Sequence, residues 1–185
     1  MIIHLARELE TDSIVDGEGI RAVIWMQGCL HHCQDCHNPE THDFNGGFTK
    51  DIVDLKAEMS KLSLIDGITL SGGDPMFQPK ACLELLRHAK KLGLNTWLYT
   101  GFTFEQLWQL AKDNTLYLEL LNNIDVMIDG KFDITRKSLT LPFRGSTNQR
   151  IINVKKSLRE HKVIQIQKYK KASKIKSPKY PNIYT

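Results

Sequence analysis

The chain has 185 residues, 41% hydrophobic and 25% charged, a balance that suits one soluble domain with a real core and excludes a disordered or fibrous chain. No apolar run approaches the roughly 20 residues needed to span a bilayer, and Arg7, Glu8, Glu10 and Asp12 argue against a secretory leader, so the expected compartment is cytoplasmic. The net charge of +4 is uneven, because residues 155–185 hold ten Lys and Arg against Glu160 alone, a +9 tail on a −5 body.

Residues 1–9 open with an apolar run that reads as a strand or entry segment. Asp16-Gly17-Glu18-Gly19-Ile20-Arg21 is a glycine turn. Residues 22–27 are nearly continuous apolar, as in a strand covered on both faces. A cysteine-bearing loop then runs to about Phe48. Thr49 is expected to cap a helix carrying Ile52, Leu55, Met59 and Leu62 on one face. Gly67 breaks it, and residues 68–70 form a short strand ending in Ser71-Gly72-Gly73-Asp74-Pro75. Pro79 suits the first turn of a second helix with the stripe Cys82, Leu85, Leu86 and Ala89, and Gly93 lies just past its end. Residues 94–99 form a third strand ending at Thr100-Gly101. Thr103 and Gln106 make a capping-box pattern for a helix with Leu107, Leu110 and Ala111. A helical piece at 116–121 leads to a strand at 125–128 and then Asp129-Gly130-Lys131. Residues 151–154 read as one more strand, 162–169 as an edge strand, and 170–185 as a flexible extension.

Strands alternating with helices imply an α/β domain with a parallel sheet and crossover helices over residues 1–160, followed by a basic extension over 161–185. The cysteine loop, 71–75, 100–101 and 129–131 each follow the carboxyl end of an expected strand. Ligands bind at that edge in parallel α/β folds, so these four loops are expected to converge on one site.

Cys29, Cys33 and Cys36 are spaced C-x3-C-x2-C. Grouped thiols in a reducing compartment point to metal or redox chemistry, not disulfides. A structural zinc site closes with four protein ligands, whereas three thiolates on a cubane leave one iron open. On the loop alone, zinc held by these cysteines plus His31, His32, His37 or His42 stays open. Cys33 to His37 also spells the C-x-x-C-H haem pattern, but that usually belongs to exported proteins and leaves Cys29 over. Cys82 reads as a small buried hydrophobe. A Gly-Gly-Asp-Pro run is a good turn in itself, and Asp129 with Lys131 also reads as a solvated charge pair.

The cysteine loop resembles the signature of the radical S-adenosylmethionine (SAM) superfamily. Ser71 to Pro75 resembles its Gly-Gly-Glu motif, with Asp74 in place of Glu. The ordered series of Asp16 to Arg21, the cysteine loop with His37-Asn38, Ser71 to Pro75, Tyr99 to Gly101, Asp129 to Phe132 and Phe143 to Arg150 narrows this further. It is similar to the glycyl-radical activating enzymes, and most to those that serve anaerobic ribonucleotide reductase, over residues 1 to about 155. Glu18 stands where that turn usually has proline, and Asp35 where an aromatic often precedes the third cysteine.

The resemblance implies a partial, open β/α barrel. It implies a 4Fe-4S cluster on Cys29, Cys33 and Cys36, with SAM on the open iron. By the same resemblance, SAM contacts fall at Asp35, Cys36, His37, Gly72, Gly73, Asp74, Thr100, Asp129 and Lys131. An electron from the cluster would break the sulfonium carbon–sulfur bond, and the deoxyadenosyl radical would take hydrogen from a glycine of the large reductase subunit. The implied partners are that subunit and a reduced flavodoxin- or ferredoxin-type donor, with no membrane and no nucleic acid. Two alternatives are activation of another glycyl radical enzyme, such as pyruvate formate-lyase, and a zinc-binding nucleic-acid module using the basic tail.

Overall fold

The computed structural model describes residues 1–170, and the flexible extension expected beyond Lys170 lies outside the described residues. Among the described residues eight strands form one sheet: β1 Ile2–Leu5, β2 Glu10–Ser13, β3 Arg21–Met26, β4 Phe48–Asp51, β5 Gly67–Gly72, β6 Asn95–Thr100, β7 Val126–Asp129 and β8 Arg150–Asn153. Their order is β4-β1-β3-β5-β6-β7-β8, with β2 also pairing β3. The helices are α1 Ile52–Lys61, α2 Pro79–Lys91, α3 Phe104–Asp113, α4 Thr115–Asn122 and α5 Val154–Glu160.

The four central strands β3, β5, β6 and β7 are parallel, and a helix lies in each connection between them. That follows from geometry, since parallel neighbours need a long crossover. The outer pairings are antiparallel, which corrects the expectation of a parallel sheet throughout. The result is a mixed α/β fold with a mostly parallel centre.

Side chains alternate across a strand, and here the two sets have different tasks. Ala22, Ile24 and Met26 of β3, Ile68 and Leu70 of β5, Leu98 of β6 and Met127 of β7 join the large core under the helices. In α2, Cys82, Leu85, Leu86 and Ala89 are fully buried, as their stripe predicted. Each such leucine contributes roughly 1.5–3 kcal/mol. On the opposite face Trp97, Val126, Ile128, Ile151 and Tyr169 form a smaller cluster. Trp25, Ser71 and Tyr99, on the same alternation, line a cleft.

Several local expectations are borne out. Thr103 and Gln106 make both bonds of the capping box at α3. Pro79 begins α2, and Gly93 beyond its end has φ +76°. Others differ. Thr49 lies in β4, paired with His4 of β1, and Asp51 caps α1 instead by accepting from the Val53 amide at 2.9 Å. The expected edge strand over 162–169 is one bridge, Ile152 to Gln165, and then a 3-10 turn at Gln167–Tyr169. Tyr169 is buried there against Trp97 and Phe143, and its hydroxyl donates to Glu18 at 2.7 Å.

Candidate metal centre

The cysteine loop leaves the end of β3 through a stitched neck. The Gln27 side-chain amide donates to the carbonyls of Glu40 at 3.1 Å and Asp43 at 2.5 Å. The Gly28 and Cys29 amides donate to the carbonyls of Thr41 and His42 at 2.8 and 3.1 Å. Cys29 is consequently buried, and the His31 amide points at its Sγ at 3.4 Å. His32 and Asp35 take left-handed conformations, with φ 47° and 52°. Asp tolerates that region better than most residues. These bends, with the Cys36 amide on the Cys33 carbonyl at 3.2 Å, turn Cys33 and Cys36 toward the cleft that Cys29 also faces.

The glycines at the end of β5, Gly72 and Gly73, allow the neck to close. Gly72 has φ +104°, and a Cβ there would meet the Met26 backbone at 2.5 Å. A Cβ on Gly73 would lie 2.4 Å from the Gly28 carbonyl oxygen. Only residues without side chains permit this approach. Cys29, Cys33, Cys36, His37, Gly72, Gly73, Thr100 and Lys131, all singled out in the sequence, line the one cleft. Trp25, His31, Ser71, Tyr99, Phe132 and Gln149 are among the residues that line it with them.

Three carboxylates singled out with them are placed differently. Asp74 is fully buried and bonded to His31, Thr100 and the Gly101 amide. Asp129 is also fully buried, accepting from the Phe104 amide at 2.7 Å and from Arg150 at 2.9 and 2.5 Å. Arg150 continues to Glu105 at 2.6 Å, and these two carboxylates hold its guanidinium protonated well above the usual range. Asp35 is exposed at its turn.

The segment Arg144 to Gln149 braces the far wall. The Gln149 side chain donates to the Gly130 carbonyl at 3.1 Å and accepts from the Gly145 amide at 2.9 Å. Asn148 donates to the Lys131 carbonyl at 2.8 Å. Phe132, held in this way, packs on the His37 ring with centroids 4.8 Å apart. Arg144 reaches the carbonyls of Gln149 and Tyr169, both at 2.8 Å. These lateral ties could not be read from the sequence, although the polar run that makes them could.

Burial pushes the Cys29 thiol up to about 11, against the pull of the His31 amide. Burial also raises Cys33, outweighing the Phe132 amide and the Lys131 charge. Cys29 and Cys33 are therefore protonated at neutral pH until a metal displaces the protons. Cys82 is sealed on the buried face of α2, with its Sγ on the Pro75 carbonyl at 3.1 Å, so it faces no cleft. Among the described residues, no three His, Cys, Asp or Glu side chains converge on the position of one ion. Soft thiols spread around a glycine-floored cleft fit an inorganic cluster, whose metal corners are separate.

A mostly parallel α/β sheet with such a thiol cleft at its carboxyl edge defines the class: an α/β iron–sulfur protein. The model of the 4Fe-4S single cluster domain family matches residues 15–152. The chain is 35% identical over 145 residues to the anaerobic ribonucleoside-triphosphate reductase-activating protein of Salmonella typhi, covering 74% of this chain and 90% of that one. The protein of the same name from Enterobacteria phage T4 is 38% identical over 145 residues, covering 74% and 86%. That of Escherichia coli K12 is 33% identical over 145 residues, covering 74% and 90%. The chain belongs to the 4Fe-4S single cluster domain family and, within it, to these activating proteins. Among the described residues, no helix is long and apolar enough to cross a membrane.

Proposed function

We propose that this protein activates anaerobic ribonucleoside-triphosphate reductase by generating a glycyl radical on its large subunit, as a radical SAM oxidoreductase of the cytoplasm. One observation carries the reading: the three thiols of the C-x3-C-x2-C run line a single cleft, while the fourth cysteine is sealed elsewhere. Cys29, Cys33 and Cys36 would hold a 4Fe-4S cluster with one iron lacking a protein ligand. When bound, the cluster and SAM supply the electron and the reactive carbon centre for hydrogen abstraction from glycine.

The chain's own part is binding, orientation and exclusion of water. The Gly72-Gly73 backbone gives a close-approach floor for the amino-acid end of SAM. Lys131 lines the cleft with no ion pair among the described residues, so its ammonium is available to a carboxylate. Trp25, Tyr99 and Phe132 supply apolar wall, and His37 stands at the mouth beside Phe132. No general acid or base is required of these residues. We read the sheet as an open barrel, since helices cover one face and the other floors the cleft. An open side suits a macromolecular substrate that must insert a glycine loop. Residues 1–160 would form this domain, and a reduced flavodoxin- or ferredoxin-type protein would be the donor.

The test is anaerobic reconstitution with iron and sulfide, then reduction with SAM and the large subunit. The expected products are 5′-deoxyadenosine and a glycyl radical signal. Absence of both, or a colourless protein with stoichiometric zinc, defeats the reading. Radical formation on pyruvate formate-lyase but not on the reductase would move the partner within the same chemistry.

A further inference from the structure

The Asp74 carboxylate is fully buried and has four donors around it. Its Oδ1 accepts from the Met76 amide at 2.9 Å. Its Oδ2 accepts from His31 Nε2 at 2.7 Å, Thr100 Oγ1 at 2.9 Å and the Gly101 amide at 2.8 Å. Three of these donors crowd Oδ2, the oxygen nearer the end of β6, and the fourth holds Oδ1 to the turn that follows Asp74. The side chain is fully buried and is not among the groups that line the cleft, although Gly72 and Gly73 beside it are.

Three segments that border the cleft are joined here. Thr100 ends β6 and Gly101 follows it, Asp74 follows β5, and His31 belongs to the cysteine loop. The His31 side chain is only 9% exposed. Its ring meets Phe102 edge-on at 4.7 Å and Phe77 at 5.7 Å. The seat is shaped for it, because a Cβ on Gly101 would come within 2.4 Å of the ring. The backbone of the same residue directs its amide at Cys29 Sγ, 3.4 Å away. A continuous path therefore runs from the ends of two central strands through Asp74 and His31 to the first thiol.

We infer that Asp74 is a positioning residue, not a contact of the bound cofactor: it holds the His31 ring, and with it the Cys29 end of the loop, against the ends of β5 and β6. The inference deepens the function proposed above and takes from it the purpose of the loop. It departs from what the Gly-Gly-Glu likeness suggests for this position. The departure has a physical cause: the side chain points back under the neck, where the shorter Asp meets ready-made donors. Contacts to the amino-acid end of SAM then fall to backbone groups of the Gly72-Gly73 turn.

The experiment uses the full chain in two forms. In reduced, metal-free protein, maleimide labelling rates of the four cysteines are read by mass spectrometry. Asp74→Asn, His31→Phe and Thr100→Val should each raise the Cys29 rate about tenfold by easing local opening, with Cys82 still unlabelled. Thr100→Ser, which keeps the hydroxyl, should match the parent. The H31F/D74N double variant should label no faster than the quicker single, as members of one linkage do. After reconstitution to full iron and sulfide content, D74N should bind SAM within about threefold of the parent, a change under 1 kcal/mol. The inference is overturned by unchanged Cys29 labelling in D74N and H31F, or by a tenfold loss of SAM binding in fully loaded D74N that H31F does not share. Labelling of Cys82 in D74N would reveal unfolding, and the Thr100 pair with H31F then decides. If the parent protein takes up no cluster, the functional reading fails while the labelling comparison still judges the linkage.

Discussion

At the amino ends of the central strands, Arg21, Asn95 and Asp125 bond one another's neighbourhood to saturation; at the carboxyl ends, three thiols, His37 and Lys131 face a cleft. Arg21 is 1% exposed and donates to Thr69, to Asn95 and to the carbonyls of Glu18, Ile68 and Asn95. Burial lowers its pKa to about 10, so it stays charged at neutral pH. Asp125 takes Lys90, Lys155 at 2.8 Å, Asn95 at 3.0 Å and the Thr96 amide at 2.9 Å. Burial raises that carboxyl, but these donors together hold it down to about 2. Saturated polar groups stabilise a fold, whereas groups left facing a cavity await a ligand. The comparison assigns stability to one edge and chemistry to the other, and substitutions at each should separate the two.

The largest separation is expected at the thiols. Cys29→Ala should abolish cluster retention and glycyl radical formation while leaving the folded sheet intact. Iron and sulfide analysis beside a thermal melt checks this, with Cys82→Ala as the partner variant that keeps its cluster. A Cys29→Ala protein that retains stoichiometric 4Fe-4S would break the assignment.

At the opposite edge, Arg21→Met should cost about 3 kcal/mol, because it strands buried carbonyl acceptors without donors. Urea denaturation measures the loss. Cluster content per folded molecule should be unchanged, and a selective loss of iron would mean the edges are not independent.

How far the sequence showed these two edges depends on the kind of signal. The capping box of Thr103 and Gln106 and the Pro79 start of α2 are local chemistry, complete within a few residues, and both are formed; the three closely spaced cysteines line one cleft. β2 escaped notice because Glu10–Ser13 has no apolar alternation and is recruited by the backbone of β3. α5 escaped because Val154–Glu160 buries only Val154 and Ser157, and the Asn153 cap is its one clear signal. The orientation of the acidic residues was least legible. Asp74 and Asp129 follow strand ends as ligand residues would, yet their partners His31 and Arg150 lie 43 and 21 residues away. Nothing local reports such pairings.

Asp125 allows the stable edge to be probed by pH. Its folded value of about 2 lies below the ordinary 3.8, so ionisation stabilises the folded state. That contribution is fully present above about pH 4 and is lost as pH falls through 2. Asp125→Asn should therefore cost about 2 kcal/mol at pH 7, and its deficit against the parent should shrink between pH 4 and 2. A deficit that stays constant with pH would assign the cost to packing rather than charge.

The smallest effect on the fold, and a telling one for function, is expected at Lys131. It is exposed on the cleft wall, and its position is set by backbone ties from Asn148 and Gln149 rather than by its own side chain. Lys131→Ala should therefore shift stability by less than about 0.5 kcal/mol, as for other surface changes. If its ammonium meets a ligand carboxylate, SAM affinity should fall several-fold at low salt, and the gap should narrow as salt is added. Lys131→Arg would keep the charge but present it as a broad planar fork, so partial recovery is expected. Equilibrium dialysis against fully loaded protein at two ionic strengths gives the answer. A salt-independent loss would point to wall shape, through Phe132 and His37, as the origin; no loss at all would mean that the Lys131 ammonium meets no ligand carboxylate.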